Sequence, residues 1–165
     1  MPMPGKNEFP RLRGTDGLFR LASTMTVPAN MTVNAANKFF KYAADELLEG
    51  RAALRASYPT RRGRGGGNGW FMRNAYALLK GYVDQGREKL FARIACLDGH
   101  RVSDDDLVAN PFKVGIRALA CDDTIDRRDR YQYGEQFLAA YHAGVEPDML
   151  LAFLSQQGGP QRMIR

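Results

Sequence analysis

From Thr32 onward the apolar residues recur with the period of an α-helix, and no other feature of the sequence constrains the fold as strongly. Val33, Ala36, Phe40, Ala43, Leu47 and Leu54 fall three, four or seven apart and so share one stripe. Thr32 is placed to cap that helix and Pro59 to end it. A second long helix is predicted from about Trp70 to Leu97, on the stripe Met72, Tyr76, Leu79, Val83, Leu90, Ile94 and Leu97, with Asp98-Gly99 as its stop. Gly81 and Gly86 each weaken a helix by about 1 kcal/mol relative to alanine, which predicts a bend or a close helix crossing there. Ser103 caps a short helix whose first residues, Asp104, Asp105 and Asp106, suit the N-terminal dipole. Asn110-Pro111 breaks it, and Phe112 to Ala120 forms another helical piece. Further helices are predicted from Asp126 to Ala143, stopped by Gly144, and from near Pro147 to a point before Gly158-Gly159-Pro160. The expected fold is all-α, a bundle of five or six helices.

Residues 1–30 read differently. Pro2, Pro4, Pro10 and Pro28 forbid a continuous helix, and no helical period can be counted among them. Asp16-Gly17 suits a small hairpin, and an extended arm fits equally well. With few ways to bury itself on its own domain, such an arm is expected to pack on a neighbouring subunit. The organisation expected is an arm over 1–30 and a helical domain over 31–165. A chain of 165 residues, 44% hydrophobic and 25% charged, is large enough for one globular core with an arm and too small for two. No apolar run reaches the length of a membrane span, and the first residues lack the apolar core of a signal peptide. Two cysteines, Cys96 and Cys121, make no disulfide framework and fit a reducing compartment, so a cytoplasmic location is expected.

Lysine and arginine number 24 against 18 acids, for a net charge of +6, which points to an anionic partner and first of all to nucleic acid. The segment Thr60-Arg61-Arg62-Gly63-Arg64-Gly65-Gly66-Gly67-Asn68-Gly69 concentrates this charge on backbone that can approach phosphates closely. It lacks the Gly-Lys-Ser/Thr ending of a nucleotide-binding loop, and a solvated linker is its other reading. Arg73, Lys80 and Arg87 are spaced by seven and would line one side of the second helix, either as a track for a polynucleotide backbone or as ordinary flanking charges. Arg127, Arg128 and Arg130 form a third cluster, interleaved with Asp126 and Asp129. Trp70, Phe71, Tyr131 and Tyr133 lie beside the basic segments; base stacking is one use for them, and at helical spacing a place in the core is the favoured one.

The acids and metal-binding residue types suggest no catalytic centre. Asp104-Asp105-Asp106 reads as a helix start, and Asp122-Asp123 with Asp126 as a turn and cap. A Mg²⁺ enzyme built on Asp122, Asp123 and Asp126 would need them to converge, which is the least favoured reading. Cys96, His100, Cys121 and His142 lack the compact pairing of zinc fingers. No catalytic residue, metal or cofactor is therefore expected.

Three stretches taken in order carry a family resemblance: Thr32-Val33-Asn34-Ala35-Ala36-Asn37-Lys38-Phe39-Phe40, Tyr82-Val83-Asp84-Gln85-Gly86-Arg87-Glu88-Lys89 and Gln136-Phe137-Leu138-Ala139-Ala140-Tyr141-His142. In this they resemble the helical small subunits of class 1 CRISPR effector complexes, those of type III above all. The resemblance implies a non-catalytic subunit that stacks in copies along larger subunits and supports guide RNA and its paired target strand through backbone contacts. Arg87 and Lys89 are the residues it carries over. The arm, the Gly/Arg loop, residues 102–124 and the tail after Gly144 have no counterpart in it. The expected function is thus that of a nucleic-acid-binding subunit, touching RNA or single-stranded DNA backbone through Arg61, Arg62, Arg64, Arg73, Lys80, Arg87 and Lys89. Its other partners would be larger protein subunits or copies of itself. The alternative is a coat or assembly protein of a virus or mobile element, with the arm reaching a neighbour.

Overall fold

Two long helices lie side by side and frame the rest. α1 (Val33–Ser57) and α2 (Gly67–Asp84) form the largest helix pairing in a computed structural model that describes residues 24–57, 67–120 and 124–157. The basic residues of the Gly/Arg loop, the Asp16-Gly17 turn, Cys121, Asp122, Asp123 and the tail from Gly158 fall outside the described residues. The fold is an all-α bundle, with seven α-helices among the described residues. After the first two come α3 (Lys89–Leu97), α4 (Asp104–Ala109), α5 (Pro111–Leu119), α6 (Arg127–His142) and α7 (Leu150–Gln156), the last entered through a 3₁₀ turn at Pro147–Met149.

Most helix starts follow from their capping residues. The Thr32 hydroxyl accepts the Ala35 amide at 3.1 Å at the head of α1. Ser103 and Asp106 exchange hydrogen bonds in a capping box that begins α4. Asn110 caps α5 by accepting the Lys113 amide, and its Nδ2 donates to the Gly134 carbonyl of α6. Asp126 caps α6.

One predicted element is corrected. The helix expected from Trp70 to Leu97 is two helices, because Gly86 takes a left-handed φ of 71°. The amides of Gly86 and Arg87 turn back to the carbonyls of Val83 and Tyr82 at 2.9 and 2.8 Å. That pairing is the glycine-closed end of a helix, and it stops α2 where an alanine would have let it continue. The chain then reverses so that Phe91 of α3 meets Phe40 of α1 and Tyr82 of α2, with ring centroids 5.5 to 5.9 Å apart. A second aromatic group, Tyr76, Phe112 and Phe137, joins α2 to α5 and α6.

α2 is the centre of the bundle. Trp70, Phe71, Met72, Ala75, Tyr76, Ala77, Leu78, Leu79 and Tyr82 are all buried, which takes in all of the helix but the strip of Arg73, Lys80 and Asp84, and α1, α5, α6 and α7 pack around it. On α1 the predicted stripe is buried except at Val33, and on α3 Leu97 ends the stripe in solvent.

The N-terminal arm is corrected in part. Residues 24–31 do not reach away; they form a strap across α2 of the same chain. The Met25 amide donates to the buried Asn74 Oδ1 at 2.8 Å, Gln85 Nε2 donates to the Pro28 carbonyl at 3.0 Å, and Thr24 bonds Asp148. Val27 sits on Gly81, where a Cβ would lie 2.4 Å from its Cγ2. Among the described residues no helix is long and apolar enough to cross a membrane.

Gly81→Ala is expected to lift this strap, since β-branched Val27 has no rotamer that clears the added carbon. Hydrogen exchange should show the Met25 amide losing protection while α2 keeps its own, and Tm should fall despite the roughly 1 kcal/mol that alanine adds to helix propensity. An unchanged Tm and unchanged protection would show that the contact is dispensable. The hydroxyls of Tyr76 and Tyr82 are pushed far above the usual tyrosine range, mainly by burial. The unfolded chain ionises these groups near pH 10 while the folded chain keeps the protons, so their contribution is intact below about pH 10 and falls above it. Urea midpoints measured from pH 8 to above pH 10 should show that decline, and Tyr82→Phe should make it shallower.

Candidate nucleic-acid interface

The row of cations read from the sequence does not exist as a row. Arg73 and Lys80 stand on the enclosed helix α2, and Arg87 lies beyond its end. Arg73 is half-buried, with its Nε shielded from water and without a hydrogen-bond partner. Lys80 Nζ is 2.7 Å from Asp84 Oδ2 and 4.0 Å from Glu146 Oε1, and it lies over the Tyr141 ring at 6.0 Å. The Tyr141 hydroxyl donates to the other Asp84 oxygen at 2.9 Å, and burial, with Asp84 next, pushes its pKa up. Lys80 is therefore held among acids, and its field is largely spent on them.

Arg87 has a structural duty. Its Nη2 donates to the Met31 carbonyl and its Nε to Gln85 Oε1 at 3.0 Å, so it clasps the end of the strap to the elbow between α2 and α3. That clasp also fixes Arg87 in the wall of a groove. The groove runs between the first turn of α1 and the start of α3, lined by Val33, Ala36, Arg87, Lys89, Leu90 and Arg93. Three of those six residues are cations and none is a carboxylate. Lys89 and Arg93 are one turn apart on α3 and both exposed, and the N-terminus of α1 adds its partial positive charge. Glu88, between the two basic residues in sequence, raises the pKa of Tyr141 and is not among the groove's lining residues.

Comparison with family models, with curated proteins and with solved structures finds no match to this chain.

A second basic surface forms where α6 begins. Arg127 and Arg128 are exposed there, while Arg130 turns back to the Ile125 carbonyl at 2.7 Å. Arg51, almost fully buried near the end of α1, lies 5.6 Å over the Phe71 ring, with its Nη1 3.5 Å from the Thr124 carbonyl. Arg55, one turn on, still acts on the Tyr133 hydroxyl, whose pKa burial raises and Arg51 opposes. The end of α1, which leads into the Gly/Arg loop, is thus tied to the same end of the bundle as the start of α6. Of the four aromatics flanking the basic segments, Trp70, Phe71 and Tyr133 belong to the core, and Tyr131 is 54% exposed. For Tyr131 the expected place in the core is corrected: it lies off the buried stripe of Tyr133, Phe137 and Ala140.

The carboxylates act locally. Asp106 closes the capping box, and the hydrogen bonds from the Ser103 amide and hydroxyl hold its carboxyl below the usual range. Asp126 is occupied as the α6 cap. Among the described residues no three His, Cys, Asp or Glu side chains converge in a way that would hold a metal ion. Cys96 is a free thiol at the surface.

Arg93 was absent from the residues the sequence singled out, although it stands four positions after Lys89, the spacing that puts two side chains on one helix face. Removing the clasp is expected to cost stability: Arg87→Ala should lower the unfolding free energy by about 1–3 kcal/mol, as for hydrogen bonds to a charged group. Urea denaturation measures it, and a variant as stable as the parent would show that the strap's end is held by other contacts.

Proposed function

We propose that this chain is a non-catalytic nucleic-acid-binding subunit of a larger ribonucleoprotein, holding the phosphate backbone without reading sequence. The observation that carries this reading is the groove lined by Arg87, Lys89 and Arg93, whose wall is largely their carbon stems with Val33, Ala36 and Leu90, and beside which Lys89 and Arg93 are exposed. Guanidinium forks and an ammonium suit phosphate oxygens, and Val33 and Leu90 give the sugar edge an apolar floor. The net charge of +6 draws a polyanion toward the whole molecule. Arg61, Arg62 and Arg64 belong to the proposal through their place in the chain: Arg61 follows four residues after Ser57, and Ser57 closes α1 at the end of the bundle where Arg127 and Arg128 are exposed. Lys80 and Arg73 leave the contact set, the first because acids hold it and the second because its guanidinium Nε is shielded from water on the enclosed helix. The sequence resemblance makes a small subunit of a class 1 CRISPR effector complex the specific form of this proposal, since Arg87 and Lys89, the two residues it carries over, both line the groove. In such an assembly the other partners are larger subunits and further copies of this chain.

Binding to a fluorescent oligonucleotide, titrated across a range of salt, tests the reading. Affinity should fall linearly on logarithmic axes as counterions are released. Lys89→Glu with Arg93→Glu should weaken binding and reduce the slope by about 2, one for each phosphate that keeps its counterion, while Lys80→Met leaves both unchanged. Affinity that ignores salt, or a double variant that binds like the parent, would overturn the proposal.

A further inference from the structure

We propose that the open face of Tyr131 is a stacking platform for an unpaired nucleobase, so that the strand bound there is single-stranded. The inference rests on the reading of the ligand as nucleic acid and goes further by naming its form. Tyr131 is 54% exposed, whereas Tyr133 and Phe137 of the same helix are buried and Tyr141 is half-buried against Asp84 and Lys80. Lys113 Nζ lies 4.7 Å from the ring centroid of Tyr131, a cation–π contact on one face.

Lys113 itself is positioned by the backbone. Its amide is bonded to the Asn110 cap at 3.1 Å, and α5 approaches α6 so closely at Gly134 that an added Cβ would lie 2.9 Å from the Lys113 Cα. Arg127 and Arg128 stand four and three residues before Tyr131, on the same side of α6, and are exposed. They are placed to take the phosphates on either side of a stacked base. Among the described residues the acids nearby are Asp126, turned to the Asp129 amide as the cap, Asp129, which is half-buried, and Asp106 and Glu135, which share a cleft with Lys113 and Arg117. An exposed aromatic ring beside an ammonium and two exposed guanidinium groups is the chemistry of single-strand binding, where every base offers a π-face. A duplex keeps those faces inside its stack and has none to offer.

The test uses the full chain and four probes carrying the same fluorophore: a short single strand of thymidine, its uridine RNA counterpart, an abasic strand with the same phosphates, and a duplex of equal length. Tyr131→Ala should weaken binding of the two single strands about tenfold, within the range of one base–aromatic stack, and leave the abasic strand and the duplex unchanged. Tyr131→Phe should restore the affinity, since stacking needs the ring and not the hydroxyl. Comparing thymidine with uridine shows whether the platform serves DNA, RNA or both. If Tyr131→Ala weakens all four probes alike, or none, stacking is wrong while phosphate binding stands. If the parent binds none of them, both this inference and the reading beneath it fall. Circular dichroism of each variant separates loss of binding from loss of fold.

Discussion

The bundle depends on a helix that water reaches on almost no side. α2 sends apolar side chains outward over most of its circumference, and they need a cover: α1, α5, α6 and α7 supply most of it, and the strap over residues 24–31 covers the strip at Gly81. Burial of large apolar surface is what holds such an arrangement together, and the aromatic groups around Phe40 and Phe112 are its densest parts. Asn74, fully buried on this helix, satisfies both ends of its amide, donating to the Trp70 carbonyl and accepting from the strap. A buried amide left half-bonded would be costly, so the strap completes the core's hydrogen bonding as well as its apolar cover.

Enclosure of the central helix also decides where charge can act. Cations on α2 have little open surface, and the two it carries are drawn into local contacts or partial burial. Exposed positive charge gathers instead at the elbow closed by Gly86, at the start of α3, and at the start of α6 beside the last turns of α1, besides the outer flank of α1 at Lys38 and Lys41. At such places side chains can be exposed without opening the core. Arg87 does both jobs, clasping the strap and lining the groove, so fold and candidate interface share a residue.

The punctuation of the fold was legible in the sequence. Thr32, Ser103, Asn110-Pro111, Asp126 and Gly144 all mark the boundaries that their chemistry implies. The end of α2 was not, because a glycine within a continuing apolar stripe looks the same whether the helix bends, crosses a neighbour or stops; the left-handed turn at Gly86 is set by Phe91 returning to Phe40 and Tyr82. A spacing of seven then linked Arg73, Lys80 and Arg87 as if one helix carried them. A cue against an open track was present: around the helix Tyr76 and Ala77 flank Arg73 and Lys80, so the two cations share a narrow strip between apolar neighbours. The groove joins α1 to α3 across a reversal, so no local pattern could announce it. Tyr131 and Tyr133 are two residues apart, and their opposite environments follow from which of them keeps step with Phe137.

A helix walled in over most of its circumference also sets the pattern of tolerated change. On α1, where one flank faces water at Lys38, Lys41 and Asp45, substitutions should be accepted with helical rhythm. On α2 that rhythm should vanish, since nearly every position meets a packed neighbour and a change of one methylene is felt. Variation between related chains would then gather on the outer flank of α1 and on α4, while the middle of the molecule stays nearly still.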